Sequence, residues 1–227
     1  MKLGNYVEIL NPASAAGEAF YTQLGYQALG DGLFTDGSLN MRLRAGLTTV
    51  PTLHYMGGDL AALAGLGLTL TQHDGAVSFT GAGGLHVIVS AAASSAPMPA
   101  GDALNRKPIS RLGKFGEFAL NIDDDFEAAA QFWEKLGFER LHSSNEPQPW
   151  GIFTDGMIVL GLHVYGEEKQ ETPTITYFAG DMPARIKQLM ADGLAVQALF
   201  PLPDGTIEHG LMRSPDGQPI FIFTGEI

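Results

Sequence analysis

The chain alternates apolar and polar residues in short runs broken by glycine, and it does so twice. From Leu39 to Arg44, the residues Leu39, Met41 and Leu43 fall on one side while Asn40, Arg42 and Arg44 fall on the other. That period of two marks a strand with one buried face. Ile158, Leu160 and Leu162 repeat its apolar half further along. Short apolar stretches at Tyr6–Leu10 and Phe118–Ile122 predict two opening strands, each followed by a helix. Asn11-Pro12 and the run Asp123, Asp124, Asp125 read as the helix starts, because a first helical turn has unpaired N–H groups and favours proline or acid. Leu-Gly-aromatic (Leu24 to Tyr26, Leu136 to Phe138) closes both helices, with glycine as the left-handed cap.

A hairpin comes next in both places. GLFTDG at Gly32 to Gly37 returns as GIFTDG at Gly151 to Gly156, and its Thr-Asp-Gly core suits a tight turn because Asp and Gly tolerate positive φ. On this reading Asp36 and Asp155 are turn residues with no chemistry. FYTQLGY (Phe20 to Tyr26) matches FWEKLGF (Phe132 to Phe138), and PTLHYMGGDL (Pro51 to Leu60) matches PTITYFAGDM (Pro173 to Met182), in the same order. Second helices are predicted after Asp59 and Asp181, each read as an N-cap, the later one through Arg185 to Ala191. Asp74-Gly75 and Asp204-Gly205 then lead into a closing pair of strands. A period of more than a hundred residues is far too long for a solenoid and indicates two copies of one small domain. Residues 1–92 are expected to form the first copy and 114–227 the second. The Ala-, Ser- and Pro-rich stretch 93–113 is a connector with one helical turn.

Composition narrows the function classes. Among 227 residues, 25 acidic against 13 basic give a net charge of −12, the wrong sign for nucleic acid or anionic membrane. The absence of cysteine removes disulfides, thiolate nucleophiles and thiolate metal ligands. The opening residues lack the apolar run of a signal peptide, and Leu60 to Leu70 is too short and glycine-broken to span a bilayer. A cytoplasmic protein is expected, a monomer or homodimer whose partner is a small molecule.

Three segments of the second copy carry a resemblance: GEFALNIDDDFEAAAQFWEKLGFE, PTITYFAGDMPARIKQLMADG and GLMRSPDGQPIFIF. With their weaker counterparts in the first copy, where Gly81 to Gly84 replaces the Pro-Asp-Gly turn, they resemble the vicinal oxygen chelate superfamily. That group includes glyoxalases, bleomycin-resistance proteins and extradiol dioxygenases. The resemblance implies an α+β fold of two tandem βαβββ modules forming a curved mixed-sheet cup, with helices on the outside. In metal-dependent members a divalent ion sits in the cup, on ligands from the opening and closing strands.

Carried onto this chain, the opening-strand positions are Asn5 and Glu117, and the closing-strand positions are Ile88 and Phe221. The dioxygenase-like position of the middle strand falls on Thr52 and Thr174. Glu117 alone among these ligates well, and a catalytic divalent site needs about three N or O ligands, so no family metal site is expected. An unconventional set of His54, His86 and Glu117 stays open as the alternative, with one divalent ion. Strand alternation otherwise assigns Asn5, Arg42, Arg44, His54 and His86, with Glu117, Asn121, His163, Thr176 and Phe221, to the ligand-facing surface. Arg42 and Arg44 suit an anionic group, while Glu117 and His54 are the acid–base candidates. Glu8 falls on the opposite, helix-covered face in this register, where a carboxylate is costly. Phe221 and Trp150 are aromatic wall candidates, while Phe34 and Phe153 read as packing. The resulting expectation is a small-molecule-binding protein of the glyoxalase/bleomycin-resistance type, with the ligand in a cup between the modules. The alternatives are a metal-dependent glyoxalase-like lyase or dioxygenase with a rearranged site, and a partner-binding module.

Overall fold

A computed structural model describes residues 2–47, 51–123, 125–165, 173–200 and 202–226. The first half runs β1 (Tyr6–Pro12), α1 (Ala15–Gln23), β2 (Gln27–Gly30), β3 (Leu33–Thr35) and β4 (Asn40–Arg44). It continues with β5 (Thr52–Met56), α2 (Leu60–Ala64), β6 (Thr71–His73), β7 (Ala76–Thr80) and β8 (His86–Ser90). The second half repeats the order: β9 (Lys114–Ile122), α3 (Phe126–Lys135), β10 (Glu139–Ser144), β11 (Trp150–Thr154) and β12 (Val159–Val164). β13 (Thr174–Ala179), α4 (Met182–Ala191), β14 (Gln197–Leu199), β15 (His209–Arg213) and β16 (Pro219–Thr224) complete it.

The two tandem modules are present, and each is βαβββ twice over rather than once. Among the described residues each half forms one eight-stranded mixed sheet, ordered β2-β3-β4-β1-β5-β8-β7-β6 and β10-β11-β12-β9-β13-β16-β15-β14. At each centre the two opening strands pair antiparallel, β1 with β5 and β9 with β13. Parallel neighbours flank them on both sides.

Helix starts follow local chemistry with one correction. Asn11 and Pro12 belong to β1, and Ser14 is the cap of α1, accepting from the Gly17 amide. Asn11 is buried instead, its amide bonded to the Tyr21 hydroxyl at 3.1 Å. Asp59 and Asp125 cap α2 and α3 through their carboxylates, while Asp124 lies outside the described residues. α4 begins at Met182, with proline in its first turn.

The repeated Thr-Asp-Gly turns do more than reverse the chain. In each, the aspartate Oδ1 accepts two amides of the turn: Ser38 and Leu39 for Asp36, Met157 and Ile158 for Asp155. Asp36 is fully buried, and its Oδ2 accepts from the Tyr177 hydroxyl on β13 of the other half at 2.6 Å. Tyr55 on β5, at the position matching Tyr177, lies beside Asp155 but short of hydrogen-bond geometry. The halves thus dock reciprocally through their helix-side faces. Gly83 adds a close approach there: a Cβ on it would stand 2.8 Å from Leu120 Cβ.

The stretch after β8 straps the two halves together. Asn40 donates to Pro97 O, and Met98 lies against the β1 backbone. Arg106, almost fully buried, donates to Ser38 O of the first half and Met157 O of the second.

Candidate functional site

The register of β1 differs from the sequence reading by one residue. Glu8 pairs across to His54 and Leu10 to Thr52, so Tyr6, Glu8 and Leu10 face inward and Val7 and Ile9 pack on the helix side. Asn5 precedes the strand and is exposed. The buried carboxylate of Glu8 is kept there by partners from distant strands. Arg42 Nε donates to both of its oxygens at 3.0 and 3.1 Å, Tyr6 donates at 3.1 Å, and His54 Nδ1 lies 3.3 Å away. Burial alone would raise the Glu8 pKa, but the His54 and Arg42 hydrogen bonds, with the Arg42 charge, outweigh it and hold the carboxyl below its usual range.

Arg42 is therefore committed to Glu8 rather than available to a ligand, which corrects the expectation of an anion clamp. Arg44 stands exposed at the end of β4. His54 Nε2 contacts Ser90 Oγ at 2.8 Å, giving an acid–histidine–serine order. Beside Glu8, Met98 and Arg106 of the strap pack against β1 and β4 and leave only about 10 Å³ open. His86 contacts Thr52 and opens onto a separate cleft shared with Phe132 and Lys135 of α3; burial, then the neighbouring His73, holds its pKa below normal.

The second half is different. Its inner face holds a cavity of about 490 Å³. Trp150, Ile152 and His163 of β11 and β12 form one wall, and Gly116 and Phe178 form the other. Glu117 is the floor, and Leu104 of the strap reaches over from outside the sheet. The cup thus lies within one half, not between the modules. Each half has two βαβββ units in an eight-stranded sheet of its own, while the halves meet back to back.

Cross-strand pairing builds the walls. Trp150 and His163 are direct neighbours on β11 and β12, with rings parallel to within 7° and centroids 6.3 Å apart. His142 packs on the other side of Trp150 at 5.0 Å, and Tyr165 on His163 at 5.6 Å. Burial and then the charge of Glu117 push the Tyr165 hydroxyl up to about 12. Opposite them, Phe178 and Phe221 both pack on Phe223, each at 5.6 Å.

Glu117 is the charged element of this surface. Its Oε1 lies 2.8 Å from His163 Nε2, and its carboxylate leans over Gly161, where a Cβ would meet Oε2 at 2.1 Å. Sheet register makes Glu117 the counterpart of Glu8, and Gly161 the counterpart of Arg42. Where the first half seals its glutamate with a guanidinium, the second leaves that place to glycine. Thr176, buried, exchanges hydrogen bonds with the Glu117 backbone.

The structure brings Glu117, His163, Thr176 and Phe221 together, with Asn121 beside His163 in register. It leaves His54, His86 and Arg42 in the first half. Phe178, Gly161, Tyr165 and Leu104 were not singled out from sequence. Phe178 continues the Thr174, Thr176 alternation, and Gly161 interrupts an otherwise apolar run, so both left a trace.

The resemblance puts metal donors at Glu117, Thr174 and Phe221, and register places Thr176 in one row with the first and the last, so that row is Glu117, Thr176 and Phe221. It supplies one carboxylate, whose Oε1 already faces His163, and a phenyl ring fills the closing-strand place. Among the described residues no three His, Asp or Glu side chains gather to hold an ion. The residues do not fit the family metal.

No protein-family model matches the chain, and no curated protein sequence does. Solved structures do match in fold. The 2,3-dioxygenase LapB from Pseudomonas sp. KL28 superposes with a TM-score of 0.57 at 14% identity, covering 98% of this chain and 92% of its own. A catechol 2,3-dioxygenase matches at 0.55 and 17%, covering 99% and 88%. The 2,2',3-trihydroxybiphenyl 1,2-dioxygenase from Sphingomonas wittichii strain RW1 matches at 0.53 and 13%, covering 99% and 90%. The likeness is one of fold.

Proposed function

We propose that this chain, built on the tandem vicinal oxygen chelate fold, binds a small molecule in the cup of its second half, without the metal of that fold's dioxygenases. The reading is supported by a single observation. The row on which a metal would be held carries Glu117, Thr176 and Phe221, and beside it stands an aromatic-walled cavity of about 490 Å³, large enough for a ligand of one to three rings. Concave, mostly apolar space with one convergent polar group is the usual form of a binding site.

Thermal denaturation against a panel of ring compounds, with and without EDTA, tests this. A ligand at a hundredfold its Kd stabilises by about 2.7 kcal/mol, so a binder raises the melting temperature, and EDTA leaves it unchanged. A melting temperature that collapses on chelation, or a panel with no shift, overturns the reading.

A further inference from the structure

We propose that the ligand of this cavity is a flat heteroaromatic cation or N–H donor, stacked along the Trp150–His163 wall with its donor aimed at the Glu117 carboxylate. This rests on the small-molecule reading above and adds the chemical class.

Charge decides first. Among the described residues the lining holds one carboxylate and neither lysine nor arginine. The nearest counterpart of a cation, the place of Arg42 in the other half, is Gly161 here. An anionic ligand would meet the Glu117 carboxylate across a mostly apolar space, and His163, the one described lining group able to offset it by protonation, is already turned to that carboxylate. A cation or N–H donor would add a second partner to a carboxylate that is only 9% exposed and has His163 on Oε1.

Shape decides second. Trp150, His163 and Tyr165 stand as a row of stacked rings along this side, the first two parallel to within 7° and Tyr165 tilted by 28°. Phe178 stands on the other side of the slot. Two facing aromatic surfaces favour a planar guest, and a ring carrying positive charge gains further from the negative faces of the indole and phenyl groups. Gly161 and Gly116 keep the slot open. A Cβ on the first would strike Glu117, and on the second would stand 2.4 Å from Phe178 Cε2.

Three quinolines of nearly equal size separate the possibilities by isothermal titration calorimetry near neutral pH: 4-aminoquinoline as the cation, 4-methylquinoline as the neutral ring and quinoline-4-carboxylate as the anion. The cation is expected to bind about tenfold or more tighter than the other two. Glu117→Gln should abolish that preference while 4-methylquinoline binds as before, which also shows the variant to be folded; Trp150→Ala should weaken all three alike. Equal affinities, or a preference for the carboxylate, overturn the ligand class and leave the small-molecule reading standing. Binding of other panel compounds but of no quinoline overturns the planar class alone. No binding by any compound overturns both.

Discussion

Tyr177, on the central strand of the second sheet, donates its hydroxyl to Asp36 in the first half at 2.6 Å, and Tyr26 contacts the same hydroxyl. Three polar groups are thereby satisfied at a buried seam between halves that share no strand. Tyr177→Phe removes the donor and leaves a buried carboxylate short of one partner. A loss of about 1–3 kcal/mol in urea unfolding is expected. Tyr55→Phe at the matching position should cost less, since Tyr55 stands beside Asp155 without a full hydrogen bond.

The same seam gives stability a pH slope. Burial raises the pKa values of Asp36 and Asp155, against the hydrogen bonds that each accepts. A carboxyl whose folded pKa is raised binds its proton more tightly in the native state, so stability falls as pH rises from the ordinary Asp value through the folded one. Asp36→Asn keeps the acceptor for the turn amides and cannot ionise. Its melting temperature should change less with pH across that window than the wild type's, and should gain relative to it at the upper end. An unchanged slope would refute this.

Glu8 has the opposite sign. Its lowered pKa contributes stability that is present above the ordinary Glu value and lost as pH falls through the folded one. Arg42→Met strands a carboxylate whose side chain is 1% exposed. Arg42 itself is 23% exposed, so the expected loss is about 2–3 kcal/mol, below the full penalty of breaking a buried pair. Glu8→Gln combined with Arg42→Met should recover part of it, because no uncompensated charge then remains. Chemical denaturation of the single and double variants measures the difference.

Much of the fold was legible because it is written twice. The repeated turn, the Leu-Gly-aromatic helix ends and the paired PTLHY and PTITY strands give two copies in order. That each copy contains two βαβββ units was readable in the same segments, as a second helix and closing strands, but a single unit per copy was expected. The β1 register was not legible. YVEIL has apolar residues on both faces, and what places Glu8 inward is Arg42 and His54, which arrive from β4 and β5 through pairing no local pattern encodes. Arg42 looked like a ligand clamp for the same reason: its partner was assigned to the wrong face. The Asp36 turn was read correctly as a turn, and its second role depends on a tyrosine from the other half.

Gly161 is expected to be a specificity position despite having no side chain. Gly161→Ala puts a Cβ where the Glu117 carboxylate now lies, so the carboxylate must swing off His163. Binding of a cationic ring should fall about tenfold or more, with a stability change of about 1–2 kcal/mol at most, since alanine suits a strand backbone. Calorimetry paired with urea denaturation separates the two effects. Unaltered binding would show that the position of Glu117 over this glycine is immaterial.

The row Glu117, Thr176, Phe221 also makes a prediction about metal. Cross-strand neighbours on one face have Cβ atoms about 4.5–5.5 Å apart, close enough for three donors to share one ion when all three residues are donors. The wild-type row has one, so protein expressed with added iron or zinc and then dialysed should retain far less than one equivalent by elemental analysis. Thr176→His with Phe221→His completes two imidazoles and a carboxylate, a set suited to divalent iron or zinc. The double variant should retain about one equivalent and should melt higher with metal than with EDTA, by the same mass action that makes any native-state ligand stabilising. One full equivalent of tightly held metal in the wild type would show that the donor set has been misread, and with it the metal-free cup.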